Sequence, residues 1–168
     1  RPNTRWRSGL ADVLSAEGLL RADRIRVDRH TVTYLVDANI LSEPTKPAPD
    51  TRVVEWLRRN EQDIVVDPII LGELRFGILI LPKGRRRTGL ERWFNEGVDG
   101  LECLSWDAAT GLRWAQILGE LRAAGRQMPI KDSMIAATAL VHDLTIATRN
   151  VSDFRAAGAQ VLDPFTSD

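Results

Sequence analysis

Apolar residues along the chain fall into short runs that alternate with longer amphipathic stretches. Tyr34-Leu35-Val36, "DIVVDP" (63–68), stopped by Pro68, and "LTIAT" (144–148) read as short buried strands. Two further strands are predicted at "LECLSW" (101–106) and "AQVLDP" (159–164). Between them lie segments of helical period. In "TRVVEWLRRN" Val53, Val54 and Leu57 share one side. "IILGELRFGILIL" reads as a helix stopped by Pro82 and Gly84. "RTGLERWFNEG" reads as another. Asp107 precedes a long one that runs to about Gly125, and "DSMIAATALVHD" is apolar almost all round. Strands separated by helices predict an α/β fold, a central parallel sheet flanked by helices on both faces.

Three acids interrupt this pattern where an acid is expensive, and a fourth follows a buried strand. Asp37 closes the first strand. Glu73 lies at helical spacing from Ile69, Ile70, Phe76, Gly77 and Ile80, which places it in an apolar stripe. Asp132 opens the apolar helix. Asp153 follows the strand at 144–148. Each has an ordinary alternative: a turn for Asp37, a pairing with a buried Arg for Glu73, a helix cap for Asp132, a loop for Asp153. Together they point elsewhere. Asp37 and Asp153 both follow strand C-termini, where open α/β sheets bind ligands. Several carboxylates in one pocket raise each other's pKa unless a cation offsets them. All-oxygen ligands suit Mg2+ or Mn2+, ions that serve phosphoryl chemistry.

Composition narrows the field. Of the 168 residues 43% are apolar and 27% charged, an ordinary globular balance. No apolar run approaches the ~20 residues of a membrane span. No secretory leader is visible in Arg1–Arg29. Cys103 is the sole cysteine, which points to a reducing cytoplasm. The two histidines, His30 and His142, give little support to a zinc site or a Ser-His-Asp arrangement. "PKGRRRTG" lacks the Gly-Lys-Ser/Thr order of a phosphate loop. Asp37-Ala38-Asn39 lacks the second Asp of an aspartyl-phosphate phosphatase.

In order along the chain, "YLVDANILSEPTKP", "GELRFGI", "KDSMIAATAL" and "IATRNVSDF" resemble the PIN-domain family. The likeness is strongest to the VapC-type toxins of bacterial toxin–antitoxin pairs, including the FitB-like branch, and covers roughly residues 33–165. It implies a PIN-like fold and Mg2+-dependent endoribonuclease activity, with Mn2+ as a substitute. It also implies inhibition by a cognate antitoxin, and a toxin homodimer or a larger toxin–antitoxin assembly. Matching residue by residue, Asp37, Glu73, Asp132 and Asp153 become the catalytic metal ligands, with Asn39, Ser42, Thr148 and Asn150 in support. Two positions depart from the family. Ala38 stands where Thr is frequent, and Asn150 stands where some relatives carry the fourth acid.

Lys83, Arg85, Arg86 and Arg87, with Arg75 and Arg92 nearby, are candidates for RNA phosphates. The alternative is a solvated basic loop. Trp56, Trp93, Trp106 and Trp114 are expected in the core or at a dimer contact. Residues 1–30 carry seven Arg against four acids, whereas residues 31–168 carry sixteen Lys/Arg against nineteen. The charge boundary sets off residues 1–30 as an Arg-rich extension, with Leu10, Val13 and Leu14 on a short helix. The resemblance implies that this extension is antitoxin-like and that 31–168 is a nuclease domain. The alternative is a passive extension without inhibitory function. Two rival functions stay open: a DNA nuclease of related fold, and a non-catalytic PIN-like module that binds RNA or a protein partner.

Overall fold

The computed structural model describes residues 33–166. The extension expected over residues 1–30 lies outside the described residues. Five parallel strands form one sheet in the order β3-β2-β1-β4-β5. They are β1 (Tyr34–Val36), β2 (Ile64–Val66), β3 (Glu102–Cys103), β4 (Thr145–Ala147) and β5 (Gln160–Leu162). Leu35 pairs with Val65 on one side and Ile146 on the other, and all three are buried. Covered on both faces, these strands need apolar residues at every position, hence the runs in the sequence. β3 is shorter than expected. It is an edge strand with both residues exposed, and only Leu104 adds a further bond, from its amide to the Val66 carbonyl.

Among the described residues seven α-helices connect the strands: α1 (Ala38–Leu41), α2 (Thr51–Arg59), α3 (Pro68–Leu79), α4 (Arg85–Trp93), α5 (Ala108–Ala123), α6 (Ile130–Val141) and α7 (Val151–Ala156). Among the described residues none is long and apolar enough to cross a membrane. The chain steps from β1 out to β2 and β3, then returns to β4 on the other side of β1. Parallel crossovers are right-handed almost without exception, so connections on either side of that reversal place helices on both faces. The reversal opens a crevice at the C-terminal ends of β1 and β4.

Local signals explain the helix starts. Asp50 accepts the Arg52 amide ahead of α2, and Asp107 accepts the Thr110 amide ahead of α5. After α5, Gly125 takes a left-handed conformation (φ 67°), which ends the helix. α6 is central, with Ser133 and Ile135–Ala139 buried, and it packs along α5. Trp114 donates its indole N–H to Ser133 across that contact and meets Trp106 edge-on. Trp56 meets Tyr34 the same way. Among the described residues, Trp93 is buried, and Trp56, Trp106 and Trp114 are half-buried with ring contacts inside the fold.

One expectation and two of the alternatives need correction. α3 buries Ile70, Leu74 and Ile78, spaced by four, whereas Phe76 and Ile80 are 62% and 65% exposed. Glu73 therefore does not lie in a buried stripe. It sits on the border of the exposed face, because an almost wholly apolar helix carries two candidate stripes and periodicity does not rank them. Asp132 is not a cap: α6 starts two residues earlier, behind Pro129. Arg85–Arg87 form the first turn of α4, not a loop.

Candidate active site

The crevice between β1 and β4 gathers the four acids from four elements. Asp37 is the residue after β1, and its amide extends the ladder by donating to the Ala147 carbonyl at 3.0 Å. Although Asp37 precedes α1, its side chain makes no cap bond. Its Oδ2 accepts instead from the Thr148 hydroxyl and from the Asn39 side-chain amide, each at 2.6 Å. Thr148 follows β4 directly, so the carboxylate is fixed across the β1–β4 pair. Thr148 Oγ1 also accepts from the Asn39 side chain at 3.2 Å and from the Asn150 amide at 3.0 Å. Asn39 Oδ1 takes the Arg149 amide at 3.2 Å. Ala38 leaves no hydroxyl beside Asp37, and Thr148 supplies one from the neighbouring strand.

On the other side of the crevice, the Asn150 side-chain amide donates to Asp132 Oδ2 at 2.8 Å and to Asp153 Oδ2 at 3.0 Å. A carboxylate at position 150 would repel both. An amide has two N–H groups and ties them together. Asp153 reaches this bridge from the first turn of α7, a short helix where the sequence suggested a loop.

Glu73 arrives from α3 and pairs with Lys131, the residue before Asp132 on α6. The sequence offers a buried Arg as the partner of Glu73; the partner is instead the exposed Lys131. Nothing in the sequence joins Lys131 to Glu73, since the two lie 58 positions apart.

The electrostatics agree with a shared site. Burial pushes the Asp37 carboxyl above its ordinary value, and the charges of Glu73 and Asp132 add to the effect, while the Thr148 hydrogen bond opposes it. Burial likewise raises Asp132, again with Glu73 and also Asp153, against the Asn150 bond and Lys131. By donor type the set suits a hard divalent cation. Among the described residues, no three His, Cys, Asp or Glu side chains converge closely enough to hold a metal as they stand. Glu73 is engaged by Lys131, and Asp132 and Asp153 by Asn150.

The supporting residues divide. Asn39, Thr148 and Asn150 contact the acids. Ser42 bonds none of them and instead ends α1, but it lines a cavity of about 260 Å3 with Asn39, Glu73, Leu74, Leu90 and Trp93. A larger hollow of about 550 Å3, around Leu121 to Met128, lies apart and is lined by no acid. The basic candidates divide too. Lys83, Arg85 and Arg86 are exposed. Arg87 is committed within the fold, bonded to Glu91 and to the Leu79 and Leu81 carbonyls. Arg75 lies over the Phe94 ring.

Two buried acids were missed, Glu43 and Asp67. Glu43 pairs with Lys46 and accepts the Asp50 amide at 3.0 Å. Asp67 is fully buried after β2 and caps α3, accepting the Ile69 and Ile70 amides at 3.0 and 2.9 Å and the Thr138 hydroxyl at 2.8 Å. For Asp67 the signal was available: Asp followed by Pro at a helix start.

The PIN domain model matches residues 34–159, the span that holds every element of the crevice. "Toxin FitB" of Neisseria gonorrhoeae is 34% identical over 135 residues, covering 78% of this chain and 97% of that protein. "VapC ribonuclease Y4jK" of Sinorhizobium fredii is 32% identical over 135 residues, covering 78% and 96%. The crystal structure of FitAcB from Neisseria gonorrhoeae superposes with a TM-score of 0.76 at 33% identity, covering 80% of this chain and 100% of that one. Sequence match, strand order and crevice lead to one conclusion: this chain belongs to the PIN-domain family.

Proposed function

We propose that the chain is the toxin of a bacterial toxin–antitoxin pair and acts in the cytoplasm as a Mg2+-dependent endoribonuclease. The observation that carries this reading is the arrangement of Asp37, Glu73, Asp132 and Asp153 on four elements around one sheet crevice, in relatives' company named as toxin and ribonuclease. Asp37, Glu73 and Asp132 would hold Mg2+ or Mn2+, with Asp153 joined to them through Asn150. The bound ion would lower the pKa of a water and offset charge on the phosphate oxygens. Thr148 and Asn39 keep Asp37 in one orientation while the substrate exchanges. Lys83, Arg85 and Arg86 would attract the RNA backbone. A cognate antitoxin and a second copy of the chain are the expected protein partners.

The test compares single-stranded RNA, double-stranded RNA and single-stranded DNA, with Mg2+, with Mn2+ and with EDTA. RNA cleavage that stops in EDTA, returns with either ion, and is lost in Asp132→Asn with folding intact supports the proposal. Full cleavage in EDTA removes the metal from the mechanism. Preference for DNA would favour a DNA nuclease. A cellular phenotype that survives Asp37→Asn would favour a non-catalytic module.

A further inference from the structure

Lys131 sits in an unusual place for a surface lysine. Its ammonium is paired with Glu73, and it feels Asp132 and Asp37 as well. Three of the four acids thus act on one amine. Glu73 supplies the largest share of the effect that holds this amine charged. The pair joins α3 to the first turn of α6, the two helices that deliver Glu73 and Asp132. Consecutive helix residues point about 100° apart, so Lys131 and Asp132 approach the crevice from different sides. The mobility of the partners is unequal. The Lys131 side chain is 63% exposed and the Glu73 side chain 21%. A flexible four-carbon stem lets the ammonium swing into water. Glu73 has less freedom, and its charge stays beside Asp37 and Asp132 when Lys131 leaves.

We propose that Lys131 is a resident counter-charge of the acidic site: it holds Glu73 in the metal-free protein and must release it before a divalent cation is taken up. This rests on the metal-dependent reading above. The ammonium supplies the positive charge that the acids need when no ion is present, so the free protein is not left with unopposed repulsion. The same charge opposes an incoming cation and occupies one of its oxygen donors. Lys131 therefore sets how much Mg2+ the protein needs, without belonging to the final ligand set. It is a positioning residue that acts through Glu73.

The test is calorimetric titration of Mn2+ and Mg2+ into the wild-type chain, Lys131→Met, Lys131→Gln and Lys131→Arg, with melting curves of each protein in EDTA and in Mn2+. Removing one unit charge beside a divalent ion at intermediate screening is expected to tighten Mn2+ binding roughly tenfold in the Met and Gln variants. Both should melt lower than the wild type in EDTA and gain more on adding Mn2+. Lys131→Arg should stay near the wild type, since the charge is kept. Equal Mn2+ affinity in all four proteins overturns the proposal and leaves a passive surface pair. Weaker binding in the Met and Gln variants also overturns it, because Lys131 would then be organising the ligands. Unchanged affinity with a raised KM for RNA overturns it in favour of substrate contact. If the wild-type chain itself binds neither ion, the metal reading falls first and the inference falls with it.

Discussion

Asp37 and Asp67 begin from the same position. Each follows a central parallel strand, β1 or β2, and each precedes a helix. Each accepts a threonine hydroxyl from a distant element: Thr148 for Asp37 and Thr138 for Asp67. Burial is the main cause that raises both carboxyls. The difference is in where the backbone amides go. Asp67 takes the two free amides at the start of α3 and is used up in holding that helix against α6. Asp37 makes no cap bond at the start of α1, where the Ala38 backbone acts on it only as a minor cause, and it is held mainly by side chains across the reversal point of the sheet. A buried carboxylate that completes a cap serves folding. One that forgoes the cap and lies among other acids is available for a ligand.

The sharpest way to break this contrast is to neutralise each aspartate. Asp37→Asn should lower RNA cleavage by more than about a hundredfold, since it removes a charged donor from the proposed metal set. Its metal-free stability should hold or rise, because repulsion from Glu73 and Asp132 is relieved. Asp67→Asn should keep the cap and most of the activity, since Asn caps as well as Asp. Asp67→Ala should cost about 2–3 kcal/mol, by stranding two amides and the Thr138 hydroxyl. Cleavage assays beside urea melts separate these outcomes. If Asp67→Asn inactivates a fully folded protein, the two aspartates are not divided as described.

The threonines sharpen the same contrast with a smaller effect. Thr148→Val removes the hydroxyl that orients Asp37 and receives the Asn150 amide, and should reduce activity about tenfold. That hydrogen bond lowers the Asp37 pKa, so the acid limb of the pH–rate profile should move to higher pH in the variant. Thr138→Val should instead cost about 1–2 kcal/mol of stability and leave the pH–rate profile in place. A Thr138 variant that moves the acid limb would tie Asp67 to the reaction.

What the sequence made legible follows the same division. The central strands were readable because burial on both faces leaves apolar runs, as at Ile64-Val65-Val66. Asp37, Glu73 and Asp132 stood out because each interrupts or ends an apolar pattern, and Asp153 because it follows a buried strand. Relations between elements were not. The face on which Glu73 lies depends on which of two apolar stripes of α3 the sheet covers. Lys131 is an unremarkable charge until α3 and α6 are packed together. The Asp67–Thr138 bond joins β2 to α6 over 71 positions. α7 was missed because Val151–Ala156 is only six residues long, too short to show a period.

The smallest expected effect is in the pH dependence of stability, and it distinguishes the two aspartates without any substrate. Both carboxyls hold their protons more readily in the folded chain than an ordinary Asp at 3.8. The folded state therefore binds more protons than the unfolded state between that value and the raised one. Each aspartate makes the protein less stable as pH rises through this window, and the loss is recovered on acidification. Asp50 and Asp107 act in the opposite sense. Hydrogen bonds, from Arg52 to Asp50 and from the Thr110 backbone to Asp107, lower their carboxyls, and that stability is lost as pH falls. The raw curve mixes the two senses, so the quantity to measure is the difference between wild type and variant. In EDTA the wild type should gain on Asp37→Asn and on Asp67→Asn as pH falls through the window. With saturating Mn2+ the Asp37 difference should reverse, because the ion favours the charged carboxylate there. The Asp67 difference should shrink but keep its sign, because the charge of Glu73 is the smallest of its causes, behind burial, two amides and a hydroxyl. Parallel responses of the two differences to Mn2+ would show that Asp67 belongs to the same electrostatic site as Asp37, and that the cap does not set it apart.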